Sequence, residues 1–512
     1  MKVYMIKVKN GIRYEINGWT YLSVKGSPSE RGYAHGYLVA KELKEIFKML
    51  EFNFYEDYGM KRDVFSDVVG QIWGPIIQAN YPELHEEIVA ITKGANAGGC
   101  KISLDELIMW NCFVSVDSLL IILPKIIKDY PQLNEKYGDL FNEESGSAGH
   151  GEGGGGGVSA LARSRIGGDH CSGFMAVGSY TKDGKIICGH NTFDNFMTGQ
   201  YFKYILDIKP TKGARILMQT APGNISSETD FYVTSNGFMA TETTIGGFNQ
   251  FALKDPICCR IRTAMQYGKT LDEIKEYLVH NNSGDYANAW LIGDTNTNTI
   301  MRVELGLKYV NVEKKKDGYF IGFNGSYDPR IRNLECSNVG HFDIRRHQGA
   351  RKVRLTQLMQ QHKGKIDIKI AEEIMADHHD VYLNKINPSS RTCCSHYELD
   401  DRAFMSDPSR PKPFQPRGAL DGKVCDTNLA KKMSFMARWG SACGMAFDTK
   451  EFIKRNIVWE EQEPYLLDRP SQPWTEFTVY NGKIPMSDKN ITKRKEEKVM
   501  QMKKTKKNKL KL

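Results

Sequence analysis

Cys171 opens an apolar, strand-like run, Cys171-Ser172-Gly173-Phe174-Met175-Ala176-Val177-Gly178, directly after a glycine-loosened stretch from Glu143 to Gly168. A second strand-like run, Lys185 to Asn191, follows across Ser179-Tyr180-Thr181-Lys182-Asp183-Gly184, whose Asp-Gly is a hairpin signal. A thiol at the head of a strand, with His190 and Asp194 close to the end of the next, has the residue types of a nucleophile, a proton acceptor and a carboxylate. An ordinary buried thiol fits the same residues. Position sets Cys171 apart from the other ten cysteines. A chain cut just before it loses little packing. The cut frees an α-amine of pKa ~7.7–8.0 that can serve as base for its own thiol.

Two other clusters invite a metal reading, His378-His379-Asp380 and Cys393-Cys394-Ser395-His396. Adjacent histidines on a helix point about 100° apart, and Cys-Cys-x-His is a poor zinc spacing. The expectation is a helix C-terminus followed by a loop, with no metal and no cofactor. The eleven cysteines include no C-x-x-C pair, which excludes zinc-ribbon and thioredoxin motifs on spacing. The five-glycine run lacks the Gly-Lys-Ser/Thr ending of a phosphate loop.

The elements that must position Cys171 follow from patterning. Residues 13–25 alternate as a strand, and Ser27-Pro28-Ser29-Glu30 caps a helix running to about Phe52. Gly32 and Gly36 in its first turns suit close backbone approach. Helices continue from Pro82 and from the Ser103–Glu106 capping box; Ser115 to Ile127 reads as core. Beyond Cys171, strands are expected at 172–178, 185–190, 202–208, 214–220, 230–235, 237–243, 288–293, 299–305 and 319–323. Helices are expected at 256–267, after Thr270, and at 347–362, 366–377, 427–439 and 449–455. Helices, then strands, then helices fit a layered α+β fold.

A chain of 512 residues with 40% hydrophobic and 11% aromatic residues can bury a large core. The net charge of +9 is a property of its end: Lys489 to Leu512 holds eleven Lys/Arg against two Glu. A nucleic-acid partner is therefore not expected except through that tail. No run reaches the ~18 apolar residues of a membrane span, and the N-terminus shows no signal-peptide pattern, so localisation is left open. The expected organisation is a helical region 1–142, a flexible linker 143–170, a main region 171–488 and a basic tail 489–512.

Several motifs then fall into one order. Asp230-Phe231-Tyr232-Val233-Thr234-Ser235-Asn236-Gly237 with Glu242-Thr243-Thr244, Tyr286-Ala287-Asn288-Ala289-Trp290, Arg345-Arg346-His347-Gln348 and Gly189-His190-Asn191-Thr192-Phe193 resemble segments of phospholipase B-like proteins. Glu30-Arg31-Gly32 with His35-Gly36, and Gly418 to Val424, are closer to the acyltransferase family of penicillin biosynthesis. Both families are N-terminal nucleophile hydrolases, which implies an αββα sandwich and autocatalytic cleavage between His170 and Cys171. The freed Cys171 is then the nucleophile, attacking an ester or amide carbonyl, with lipid suggested only by the family name. His190 stands where bile-salt and penicillin-acylase relatives carry a supporting arginine, as it does in phospholipase B-like proteins, and Asp194 lies one residue beyond the pattern's aspartate. Asn288 matches the oxyanion donor, Thr243 or Thr244 a positioning group, and Arg345 or Arg346 a guanidinium for the Asn288 strand end or a substrate anion. An acyltransferase and an uncleaved binding module are the alternative functions.

Overall fold

The computed structural model describes residues 4–141, 171–337, 340–401, 403 and 412–482; the expected linker 143–170 and tail 489–512 lie outside them. Strands β1 (Met5–Val8), β2 (Gly11–Ile16) and β3 (Trp19–Gly26) begin a ten-stranded sheet. Strands β4 (Cys171–Val177) and β5 (Ile187–Asn195) belong to a second sheet. The first sheet resumes with β6 (Tyr204–Pro210), β7 (Ile216–Thr220), β8 (Phe231–Thr234) and β9 (Phe238–Thr244). It ends with β10 (Asn288–Asp294), β11 (Thr299–Leu305) and β12 (Val310–Lys315), the strands neighbouring in that order. All its pairings are antiparallel except β3 with β6, a parallel pair that needs a crossover connection.

The second sheet runs β13 (Gly318–Gly322), β4, β5, β17 (Asp421–Asp426), β18 (Ser434–Trp439), β19 (Thr475–Thr478), with β16 (Arg417–Ala419) paired to the end of β5. Strands β14 (His379–Asp380) and β15 (Lys385–Ile386) form a separate ribbon. The fold is mixed α+β.

Among the described residues, the connection from β3 to β6 includes the helices α1 (Pro28–Tyr58), α2 (Arg62–Asn80), α3 (Pro82–Ala97), α4 (Leu104–Asn111), α5 (Val116–Ile126) and α6 (Pro131–Phe141). Helix α1 starts on the Ser27–Glu30 capping box and stops at Gly59, whose φ of 69° is left-handed. It packs on β2, β3 and β6, while α7 (Ile257–Tyr267) and α8 (Leu271–Val279) lie on β8 and β11 of the same sheet. Helices α9 (His347–Gln361) and α10 (Ile368–Met375) cover β13, β5 and β17 of the other. Among the described residues no single helix is long and apolar enough to cross a membrane.

Strand β4 is buried along its whole length, and alternation assigns its two faces. Phe174 and Ala176 join the cluster formed with Leu355, Leu358 and Ile374 of α9 and α10. Met175 and Val177 join the larger core shared with the ten-stranded sheet. Full burial of Phe174 or Met175 contributes about 1.5–3 kcal/mol over an exposed position. Cys171 and Gly173 share the parity of Met175, so they belong to the face turned toward the larger sheet.

The strands expected after Cys171 are present within a few residues of their bounds, and β12 and β14 to β19 are additional. The helix expected at 427–439 is a single short turn, Thr427–Lys431, followed by β18. Met433, at φ 52°, turns the chain between them. Burial of Phe435, Ala437 and Trp439 beside β17 and β19 outweighs local helix preference there. Gly32 and Gly36 do serve close approach: a Cβ on Gly36 would run into the Ile91 carbonyl of α3, and one on Gly94 into the Tyr33 carbonyl of α1. Gly36→Ala should therefore lower the unfolding free energy by about 1–3 kcal/mol. Gly74→Ala, where the new Cβ would meet only Ile108 at 3.5 Å, should be neutral or stabilising. Denaturant unfolding of both variants checks the pair.

Candidate active site

The backbone of Cys171 is fixed on both sides. Its N–H donates to Asn324 Oδ1 (3.3 Å), and its carbonyl accepts from Arg351 Nη1. Arg351 also donates to Ser172 Oγ (3.2 Å) and to Asn324 Oδ1 (2.8 Å), while Asn324 Nδ2 donates to the Thr244 carbonyl (3.0 Å). One guanidinium on α9 and one amide just after β13 thus lock the first residue of β4 to the end of β9. Cys171 lies directly opposite Thr192 of β5.

The thiol is fully buried yet lines a cavity of about 440 Å³. Thr192, Asp194, Glu228, Asp230 and Tyr286 line the same cavity, and the N-terminal helical region closes it with Phe54, Tyr58, Phe113 and Val116. Burial pushes the Cys171 thiol well up, and the nearby Glu242 and Asp230 carboxyls push it further; the Lys423 ammonium opposes them. Lys423 is itself buried, held by Asp421 (3.0 Å) and donating to Thr192 Oγ1 (2.7 Å), and burial lowers its own pKa. It is a cation placed one residue pair from the sulfur.

Asp230 and Glu242 form a buried carboxyl pair, with Asp230 raised to about 6 by desolvation and Glu242 raised well above its ordinary value by desolvation and by Asp230. Tyr286 donates to Glu242 Oε1 (3.0 Å), whereas Glu242 Oε2 finds no donor. A proton shared with Asp230 satisfies that oxygen, since two buried carboxylates cannot both stay ionised side by side.

Of the residues singled out by sequence, His190, Thr243 and Asp194 gather around Cys171. His190 lies on β5 opposite Gly173 and Lys423, fully buried. Its Nε2–H donates to the Glu242 carbonyl (2.9 Å), which leaves Nδ1 as the unpartnered acceptor. Burial, then Lys423, lowers its pKa well below the ordinary value, so the ring is neutral. Thr243 faces the β4 sheet, its methyl filling the space beside Gly322 and Gly173, with its hydroxyl unpartnered. Asp194 lines the cavity and pairs with Arg417 (3.4 Å).

Asn288 heads β10 opposite Thr244, on the sheet face that Thr243 does not share. Both its amide atoms are buried without a hydrogen-bond partner. The arginines are placed elsewhere. Arg345 is a surface residue, its side chain 68% exposed and paired with Asp343 (2.8 Å), and Arg346 is the residue before α9, with no side-chain capping bond. The guanidinium that reaches the cysteine is Arg351, farther along the same helix.

Arg351 and Asn324 lie outside the motifs singled out by sequence, whereas Asp230, Glu242, Tyr286 and Lys423 fall within them but were given no role. Asn324, the first residue of an Asn-Gly-Ser run, is fully buried. For the acids, the signal was Asp230 just before β8 and Glu242 within β9.

The architecture is a mixed α+β fold with a cysteine-headed strand buried between a larger sheet and its own covering helices. The chain belongs to the phospholipase B family: residues 156–462, more than half its length, match that family. It is 26% identical over 253 residues to a phospholipase B of Crotalus adamanteus, covering 44% of this chain and 43% of that one. It is 25% identical over 257 residues to human phospholipase B-like 1, covering 45% and 43%. The matches thus span less than half the length of these two relatives. Among solved structures, a conjugated bile acid hydrolase variant from Clostridium perfringens aligns with 62% of this chain and 99% of its own, at 11% identity and a TM-score of 0.29.

The carboxyl pair makes stability depend on pH with a defined sign. An unfolded aspartate loses its proton near 3.9, whereas Asp230 in the fold holds it to about 6. Between those values the folded state binds more protons, so this contribution falls as pH rises, and Glu242 extends the loss upward. Melting temperatures of wild type and Glu242→Gln, compared from about pH 4 to 8, should show the wild type losing ground to the variant as pH rises. A difference independent of pH would exclude the shared-proton pair.

Proposed function

We propose that this chain is a self-processing cysteine acyl hydrolase of the phospholipase B-like type. It would be cut between His170 and Cys171, then act on an ester or amide acyl bond, with an acylated lipid as the substrate the family name suggests. The observation that carries this reading is the position of Cys171, at the first residue of a rigid buried strand with its side chain on a cavity wall. The succession of helices, sheet, sheet and helices supports the four-layer αββα architecture of N-terminal nucleophile hydrolases.

In the cut, Cys171 Sγ attacks the His170 carbonyl carbon. The amide nitrogen leaves with a proton as the new α-amine, and one water hydrolyses the resulting thioester to free thiol and carboxylate. This single cut would leave residues 1–170, which carry the helical light-chain region 1–142, and residues 171–512, which carry the heavy-chain region 171–488. Asn324 Oδ1, already accepting from the Cys171 nitrogen, is placed to orient the new amine, and Arg351 keeps the strand end in register.

In turnover the amine takes the thiol proton and the thiolate attacks the substrate carbonyl. The leaving alcohol or amine takes that proton back, and water releases the acyl group from sulfur. The orphaned amide of Asn288 is the proposed oxyanion donor, because a buried amide without partners carries a desolvation cost that a developing oxyanion relieves. Lys423 and the neutral His190 set the electrostatics around sulfur, Thr243 packs behind the nucleophile, and Asp194 with Arg417 shapes the cavity wall.

Intact mass and N-terminal sequencing of wild type beside Cys171→Ala test the first step. A wild-type fragment beginning Cys171-Ser172-Gly173, absent from the variant, is expected. A wild-type chain that stays uncut through prolonged incubation at neutral and acidic pH would reject self-processing and favour a binding module. In the processed protein, Asn288→Ala should lower kcat by about 10²–10³-fold with little change in KM, while Arg345→Ala should leave both unchanged. Product analysis with an added amine acceptor separates hydrolysis from acyl transfer.

A further inference from the structure

Four side chains far apart in sequence converge behind the cavity: His378, just past α10; Cys394 and His396, in the irregular segment before β16; and Cys443, in the turn after β18. One ligand-type atom from each lies within 4.8 Å of every other. Cys394 and His396 are buried, and His378 and Cys443 are half-buried. We propose that these four residues form a structural Zn2+ site, independent of the cysteine chemistry proposed above.

The distances fit a tetrahedral ion. His396 Nε2 lies 3.4 Å from Cys394 Sγ and 3.5 Å from Cys443 Sγ. A tetrahedral ion bound at about 2.3 Å to sulfur and about 2.0–2.1 Å to nitrogen sets the S···N edge near 3.6 Å. Hydrogen bonding alone accounts for the arrangement poorly. His396 Nδ1 faces Glu398 Oε1 at 2.7 Å, and a ring with its single proton there turns the Nε2 lone pair toward the two sulfurs. That lone pair cannot accept from two thiols at once, but it can point at a cation between them.

Two further features belong to metal sites. Glu398 holding the distal nitrogen of His396 is the carboxylate–histidine pairing that orients a ligating ring. The Met445 N–H donates to Cys443 Sγ (3.4 Å), as expected for a sulfur acting as acceptor. His378 Nε2 is buried without a partner. Two thiols and two imidazoles select zinc over hard cations, and four protein ligands leave no open position. Binding would release two thiol protons to solvent and give a neutral centre.

The site has mechanical work to do. Residues 387–397 are mostly buried but contain no strand of the sheets. Ser395 accepts from the Ala419 N–H (2.8 Å), and His396 bridges to Gly418 of β16, whose Arg417 lines the cavity. Zinc would tie this segment, the end of α10 and the turn after β18 into one brace behind the cavity wall. Sequence spacing missed it because Cys394 and His396 are only half of the ligand set.

Elemental analysis of the full chain, purified without a metal-affinity step and reconstituted with Zn2+, should find close to one zinc per chain after desalting. Cys443→Ser and Cys394→Ser should each lose at least tenfold of it, while Cys336→Ser, a half-buried thiol elsewhere, should keep it. Chelation should lower the melting temperature of wild type and leave Cys443→Ser unmoved. Co2+ in place of zinc should give the visible bands of a tetrahedral ion and a near-ultraviolet thiolate charge-transfer band, a readout that needs no variant. Wild type that retains less than a tenth of an equivalent, or a Cys394–Cys443 disulfide found by mass spectrometry in protein handled without oxidant, would overturn the proposal.

Discussion

The guanidinium of Arg351 is the group on which the position of Cys171 depends. A strand's first residue has one side of its backbone outside the ladder, and at a buried end water cannot satisfy it. Asn324 and Arg351 take over, the first accepting the N–H and the second supplying a donor to the carbonyl. The same two side chains reach Ser172 and the end of β9. The cysteine is therefore held by contacts from both sheets and a covering helix, and its sulfur is placed without using any bond of its own.

Around that fixed point, burial decides charge. The acids near the sulfur outnumber the bases, and in water all would be ionised. In the sheet interior Asp230 and Glu242 retain a proton between them, His190 is neutral, and Lys423 stays close to Asp421. The centre thus carries far less charge than its composition suggests. A nucleophile generated there would meet one buried cation and several neutral hydrogen-bonding groups, an environment in which a small displacement of a proton has large electrostatic effect.

The N-terminal region is built into this arrangement. Strands β1 to β3 are part of the larger sheet, and the parallel β3–β6 ladder joins them to the strands beyond Cys171. The helices between supply one wall of the cavity. A chain severed before Cys171 would keep its two parts together through a shared sheet and core, so the proposed cut changes the chemistry at one nitrogen and leaves the scaffold standing.

Sequence by itself determined the local elements: the capped start of α1, the close approach at Gly32 and Gly36, the hairpin of β4 and β5, and the strands around Thr243 and Asn288. Each is set by periodicity, caps or turn residues within about a dozen positions. It also picked out Cys171, because a thiol heading a strand after a glycine-rich stretch is a local pattern, and the phospholipase B family resemblance, because ordered motifs survive at low identity. Tertiary structure alone decided the rest. Arg351 rather than Arg345 reaches the cysteine because Arg345 sits in the exposed turn before α9, paired with Asp343, whereas Arg351 is buried within the helix. Asn288 and Thr243 fall on opposite sheet faces because of strand register, and 434–439 became a strand because its neighbours offered a buried edge. Cys443 and His378 met Cys394 and His396 only through folding. In each case the deciding contact joins residues distant along the chain, where no periodicity or spacing carries a signal.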